Sequence, residues 1–497
     1  MGFGLLLIIT ISGAYLSFRA PSEKEVLDGF AEAQRFYAEG AYDQAIDGYH
    51  DVSEVRSRVL DAQSLQVEVG EATYPVQEAA LYQVGNANRK LFADYRRFGD
   101  NADSEARRLE YADLADSALV RSARAFRRVI STASSVELRG QAFGRVIELY
   151  YDAGRYPDVI EVSAQLIDAF GDDPLTKVGH YNTGWSYYEM ADYERAVSAF
   201  QTLVERFPNG FEADRSLFQI GESYLAMESY EKAITTYRDL VQRQNLDGLG
   251  EAELERMKRE KLAGLVDETA LEMAAKAQIR IGTCLAKLGR YEEGLAAYRI
   301  VIDRFGTERS LVEEAYLQMA DLFEQRGDWD ESVKTYREAI REAGDRTLRA
   351  RIQYSLAERL LVRGDYQAAI SEYRIYLQGY GEVARNAGFS EARVRYRIGS
   401  AYQQWAQQED DTDTLLKAGI AQYDTLLSSG DTQYAADARF NRALAQQSMA
   451  TPLALAEARQ TFEELLNTDA QRFGDRSLVQ LAKLHLGQGD YDAAEEA

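Results

Sequence analysis

A short phrase recurs along this chain, and its spacing limits the possible folds more than any other feature. Gly154-Arg155-Tyr156-Pro157-Asp158-Val159-Ile160 is echoed by Ala191-Asp192-Tyr193-Glu194-Arg195-Ala196-Val197 and by Glu228-Ser229-Tyr230-Glu231-Lys232-Ala233-Ile234. The phrase also stands at Gly40-Ala41-Tyr42, Gly289-Arg290-Tyr291, Gly327-Asp328-Trp329, Gly364-Asp365-Tyr366 and Gly489-Asp490-Tyr491. The aromatics at 156, 193 and 230 lie 37 residues apart, and those at 291, 329 and 366 follow at 38 and 37. A period of that size is the length of one supersecondary unit, and such a unit buries its apolar face only by stacking on its neighbours. The chain is therefore read as a repeat array.

Each period holds two amphipathic helices. In the clearest one, Tyr181, Gly184, Tyr187 and Tyr188 lie on the first helix, and Tyr193 opens the second. Ala196, Val197, Phe200 and Leu203 then recur along one side of that second helix. The unit closes at Arg206-Phe207-Pro208-Asn209, where proline ends the helix. Small residues stand mid-way along the first helix at Gly184, Gly221, Gly282, Ala320, Ala357 and Gly399. A second set opens the second helix: Ala45, Ala196, Ala233, Gly294, Ser332 and Ala369. Four residues later comes an aromatic, at Tyr49, Phe200, Tyr237, Tyr298, Tyr336 and Tyr373. Two helix backbones approach closely only where neither carries bulk, and the aromatic fills the groove that remains.

This combination resembles the tetratricopeptide repeat family over nearly everything after residue 25, counting about ten units with weaker ones around Phe126, Tyr423 and Phe462. The resemblance implies an all-α fold, a right-handed superhelical solenoid of helix-turn-helix repeats whose first helices line a concave groove. It implies groove positions at Tyr181, Trp185 and Tyr188, at Arg215 and Phe218, at Lys276, at Arg351 with Tyr354, and at Arg393 with Tyr396. Such a ladder of aromatics and basic groups suits an extended or helical peptide carrying acidic residues. The version of the family that clamps acidic tails needs lysine where Tyr181, Phe218, Ile279 and Leu317 stand, so that sub-function is not expected. The long period and the endings Glu205-Arg206-Phe207-Pro208 and Asp303-Arg304-Phe305-Gly306 are similar to a bacterial envelope subset. Examples are the lipoprotein that assembles outer-membrane barrels and the Tol-Pal-associated periplasmic protein. The chain departs from those in having no lipobox, no N-terminal coiled coil and many more repeats.

Two stretches break the rhythm. Arg56 to Ser135 holds an expanded unit with a strand-like patch, Leu65-Gln66-Val67-Glu68-Val69, and a loop around Gly99–Ser104. Leu246 to Asp267 inserts a charged segment expected to add a helix over 253–262. Insertions in solenoids become loops on one face, where they serve as contact sites or as inert extensions. The resulting divisions are 1–20, a signal peptide or membrane anchor; 21–136, repeats including the expanded unit; 137–245, a regular block; 246–268, the insertion; and 269–497, a second block. At its end a further second helix opens with Asp492 and stops at Ala497. Leu481 and Leu484 are accordingly expected to be more exposed than their equivalents in interior repeats, and the natural protein to continue.

Phe3 to Phe18 is an uncharged apolar run ending at Arg19. It is shorter than the roughly 20 residues a spanning helix needs. Small residues at Ser12-Gly13-Ala14 suit a cleavage site, although no basic residue precedes the run. Export or anchoring is expected, with membrane contact only through this segment and a position on the periplasmic side of a Gram-negative envelope. A net charge of −24 excludes nucleic acid as a general partner, since phosphate binding needs a basic face. Cys284 is the single cysteine and reads as a small buried hydrophobe, while His50, His180 and His485 are scattered, so neither a disulfide nor a metal site is expected. No motif for a nucleophile, a zinc hydrolase or a phosphate-binding loop is present, and acidic pairs such as Asp172-Asp173 and Asp410-Asp411 fall in turns. The functional expectation is a non-catalytic scaffold without cofactor, holding a protein or peptide in its groove. Its rivals are a membrane-tethered cytoplasmic adaptor and the regulatory repeats of a larger enzyme.

Overall fold

The computed structural model describes residues 21–55, 65–243, 256, 259, 269–305, 308–383, 388–430 and 432–496. The apolar run Phe3–Phe18 and the helix expected over 253–262 lie outside these residues, apart from Arg256 and Arg259. The chain divides into two compact units, Met1–Asn245 and Leu246–Ala497.

Each unit is an all-α solenoid of helical hairpins. The first holds α1 (Glu23–Ala38), α2 (Tyr42–Ser53), α3 (Val76–Asp100), α4 (Glu105–Thr132), α5 (Val136–Asp152), α6 (Tyr156–Phe170), α7 (Lys177–Glu189), α8 (Tyr193–Arg206), α9 (Phe211–Ala226) and α10 (Tyr230–Arg243). The second holds α11 (Ala270–Lys287), α12 (Tyr291–Arg304), α13 (Arg309–Arg326), α14 (Trp329–Glu342), α15 (Arg346–Arg363) and α16 (Tyr366–Tyr380). It continues with α17 (Glu391–Ala406), α18 (Thr412–Ser428), α19 (Ala435–Met449), α20 (Pro452–Thr468), α21 (Ala470–Gln488) and α22 (Tyr491–Glu496). Odd-numbered helices are the first and even-numbered the second of each pair.

The recurring phrase is the hinge of each hairpin. Its glycine takes a left-handed conformation, with φ of 70° at Gly154, 73° at Gly289, 83° at Gly327 and 85° at Gly364. That conformation is cheap only without a Cβ, and it lets the last carbonyls of the first helix find N–H partners. The aromatic that follows then opens the second helix: Tyr42, Tyr156, Tyr193, Tyr230, Tyr291, Trp329, Tyr366 and Tyr491 are all first residues of even-numbered helices. Polar caps hold many of the other ends. Ser22 with Glu25 and Thr269 with Glu272 form reciprocal capping boxes at α1 and α11.

Inside the hairpins the small residue and the aromatic meet as the repeat pattern requires. A Cβ added to Gly184 would lie 2.6 Å from the Phe200 ring, and one on Gly282 would lie 2.5 Å from Tyr298; Gly221 sits under Tyr237 in the same way. Sixteen residues separate each of these pairs. At Tyr49, Tyr237, Tyr298 and Tyr373 the hydroxyl reaches the residue just after the small one. Tyr49 donates to Gln34 at 2.5 Å and Tyr237 to Glu222 at 2.5 Å, Tyr373 donates to Glu358, and Tyr298 shares a 3.3 Å bond with Thr283. Cys284 is fully buried, as read.

The expanded unit departs from the pattern through α3 and α4, of 25 and 28 residues, and through a β-hairpin ahead of them. The strand-like patch forms β1 (Gln66–Val69), which pairs antiparallel with β2 (Ala72–Pro75) around the turn Gly70–Glu71. Tyr74 is buried, and Gln141 of α5 donates to its hydroxyl at 3.0 Å, which ties the hairpin to the helices.

At the end of the second unit Leu481 and Leu484 are 5% and 4% exposed, against 0% at Leu356 and 1% at Leu322 in the same positions of interior repeats, so they are a little more open but still buried. Both face back into a cluster with Phe440, Phe462 and Phe473, while the open side of α21 carries Val479 and Leu486 instead.

Candidate functional site

In the register that the resemblance implies, the concave positions lie six and three residues before the small residue of each first helix, and one and four after it. The expected site residues occupy this register in both units. Tyr181, Trp185, Tyr188, Arg215 and Phe218 belong to the first, and Lys276, Arg351, Tyr354, Arg393 and Tyr396 to the second.

On α7 three rings form one chain of edge contacts. Trp185 lies 6.2 Å from Tyr181 and 5.7 Å from Tyr188, and the buried Phe200 backs both Tyr181 and Trp185 at 6.0 and 6.2 Å. The packing aromatics of the second helices are essentially fully buried, whereas Tyr181, Trp185 and Tyr188 all keep part of their surface in solvent. Tyr188 also packs at the hinge. It meets Tyr193 at 5.3 Å, and Tyr37–Tyr42 and Tyr151–Tyr156 repeat that contact at 5.5 and 5.6 Å. On α9 the Arg215 guanidinium lies 5.3 Å over Phe211, and Phe218 is 5.7 Å from Tyr237.

In the second unit Lys276 and Arg351 are exposed, but Tyr354 is 3% exposed and belongs to the core. Phe389, from the connection ahead of α17, stacks on it at 3.8 Å, and Arg393 covers both rings at 5.3 and 5.0 Å. Arg393 also donates from Nε to the Tyr354 hydroxyl at 3.1 Å. A covering ring from a connecting segment leaves no trace in helix periodicity, so Tyr354 could not be told from a groove residue by register. Tyr396 is half-buried against Tyr423 and Tyr434, and Asn441 donates to its hydroxyl at 2.8 Å.

Four ion pairs in the second unit run from one first helix to the next. Arg280 reaches Glu314 at 3.6 Å, Arg359 reaches Asp321 at 2.7 Å, Arg472 reaches Asp437 at 2.7 Å, and Arg397 pairs with Glu358. Burial pushes the Glu358 carboxyl up. Hydrogen bonds from Arg397, Tyr373 and Tyr354, with the Arg397 charge, outweigh it and hold the group below the usual range. Asp321 is raised, because burial there outweighs Arg359.

The same register reaches a site that the sequence reading did not name. Counting from Ala33, Gly85 and Ile147 gives Gln34 and Tyr37, Tyr82, Asn86 and Arg89, and Gln141, Gly144 and Glu148. Most of these line a concavity of about 910 Å³ on α1, α3 and α5, with Arg145 beside them and the Gly70–Glu71 turn at its rim. The missed signal was Gly85 itself. Its ring partner is Phe126, 2.6 Å from an added Cβ, but the long helices place it 41 residues on, not 16.

Family models described as tetratricopeptide repeat match residues 180–210 and 215–244, 273–341, and 317–384. The chain thus carries tetratricopeptide repeats in both units, and repeats of this kind bind protein partners. No curated protein matches the chain by sequence. Among solved structures, a tetratricopeptide repeat protein from Parabacteroides merdae is 12% identical, covering 60% of this chain and 97% of its own, at a TM-score of 0.32. The apo form of RapI is 15% identical over 64% of this chain and 97% of its own, at 0.32. The TPR domain of P58(IPK) is 15% identical over 80% and 99%, at 0.22. Among the described residues no helix is long and apolar enough to cross a membrane.

Proposed function

We propose that the chain is a non-catalytic scaffold that holds a protein or peptide partner along its concave helix faces. The observation that carries this reading is the half-open ring cluster of Tyr181, Trp185 and Tyr188, set beside packing aromatics that are closed to solvent. A large amphipathic ring kept partly wet at the centre of a concave face is the usual anchor of a binding hot spot. A preference for acidic segments rests on the exposed Lys276 and Arg351, since the guanidinium groups of Arg215 and Arg393 already lie over rings.

The test is to select binding peptides from a random library on the immobilised full chain. A photo-crosslinking phenylalanine analogue is then placed at position 185 of α7, or at the exposed Gln201 of α8. Crosslinks from 185 and none from 201 support the groove; the reverse pattern rejects it.

The proposal extends to the cell envelope, where the apolar run Phe3–Phe18 would export the chain or tether it on the periplasmic side. Digestion by added protease in cells with a permeabilised outer membrane, but not in intact cells, supports that position. Resistance until the inner membrane is lysed would favour a cytoplasmic adaptor instead.

A further inference from the structure

The concavity on α1, α3 and α5 has a chemistry distinct from that of the ring cluster on α7. One wall is a directional relay. The buried Tyr49 hydroxyl donates to Gln34 Oε1 at 2.5 Å, Gln83 Nε2 donates to the same oxygen at 3.2 Å, and Asn86 Nδ2 donates to Gln83 Oε1 at 2.7 Å. Asn86 lines the cavity and keeps its Oδ1 acceptor and its second N–H outside this relay.

The facing wall holds Arg145 in place. Arg145 donates from Nε to the Tyr82 hydroxyl at 3.3 Å and from NH1 to Glu148 at 2.8 Å, while Arg89 approaches the same carboxylate at 3.7 Å. Glu137 adds a second carboxylate beside Gln141, and Glu71 adds a third from the hairpin turn. Three carboxylates against the two arginines that hold Glu148 leave the site at −1 (2 − 3), beside the Tyr37 and Tyr82 rings. The lining is therefore polar with a net negative charge beside two tyrosine rings, which favours a cation over an anion.

We propose that this cavity takes a basic side chain, lysine or arginine, from a polypeptide partner whose main chain crosses under the hairpin turn. The inference rests on the groove reading and supplies the partner's chemistry at one point of it. An ammonium or guanidinium group matches the lining twice, donating to Asn86 Oδ1 and the carboxylates and lying against tyrosine faces. A volume of about 910 Å³ exceeds one side chain, so residues flanking the basic one enter as well. The net charge of −24 raises the encounter rate with a cationic segment but does not place it in this cavity.

The experiment follows the anisotropy of fluorescein-labelled oligolysine, oligoglutamine and oligoglutamate of equal length on the full chain. Three proteins are compared: the parent, Glu71→Gln with Glu137→Gln, and a control that loses two exposed carboxylates of α20, Glu463→Gln with Glu464→Gln. Binding of oligolysine alone, weakened at least about tenfold in the cavity variant and unchanged in the control, is the expected result. Equal behaviour of the two variants would mean diffuse attraction to an acidic chain and would overturn the inference, as would preferential binding of oligoglutamate. Matching thermal melts of the three proteins guard against unfolding. Crosslinking from position 185 judges the groove reading separately, so failure here leaves that result standing.

Discussion

At the residue scale the hinge between paired helices shows how much one atom decides. Most hinges place glycine in the left-handed conformation, but Ala191, Glu228 and Ala450 take it with φ of 58°, 55° and 54°. A Cβ there costs about 1–2 kcal/mol, partly offset by glycine's greater freedom in the unfolded chain. Glu228→Gly should therefore stabilise the first unit by about 0.5–1 kcal/mol, read from urea denaturation; a fall in midpoint would mean the side chain holds a contact that outweighs the strain. The glycines were legible from the recurring phrase. The three replacements kept the register so well that their strain was not.

The packing tyrosines make a second residue-scale prediction. Burial pushes the hydroxyls of Tyr298 and Tyr336 up to about 12 from an ordinary value of 10.0. A group whose folded value lies above its unfolded one gives stability that is whole below the unfolded value and is lost as pH rises toward the folded value. Denaturation midpoints should therefore hold below about pH 10 and fall steadily from there toward pH 12. A midpoint unchanged across that window would show that these hydroxyls are wet in the native state.

At the element scale the helix pairs follow from sequence because the pattern repeats. Noise at one unit is averaged by its neighbours, and every anchor aromatic from Tyr42 to Tyr491 opens a helix as read. Ala196 and Ala233 are fully buried where their helices meet the preceding one. Ala196→Leu should destabilise by about 1–3 kcal/mol through overpacking. Calorimetry of the variant decides it, and equal stability would show that the register is wrong. What did not repeat was not legible. The β-hairpin partner Ala72–Pro75 has no counterpart along the chain, and Phe389 covers Tyr354 from a connection outside any helix. How deeply Leu481 and Leu484 are buried was not legible for a related reason. An apolar residue on a terminal helix can face its own hairpin or the next, and periodicity does not say which.

At the scale of the whole molecule the two units carry their repeats separately, and the concave positions within each differ in kind. In the second unit four ion pairs link one first helix to the next, while Lys276 and Arg351 stay exposed. In the first unit the rings of α7 and the polar cavity under the β-hairpin stay open. The central claim, that the ring cluster is a binding surface and not core, is tested most directly by Trp185→Ala against a peptide selected on the parent chain. The account predicts full helical signal and one cooperative melt, with affinity weakened by about 2 kcal/mol or more, roughly 30-fold. Unchanged affinity, or loss of the fold itself, would contradict it.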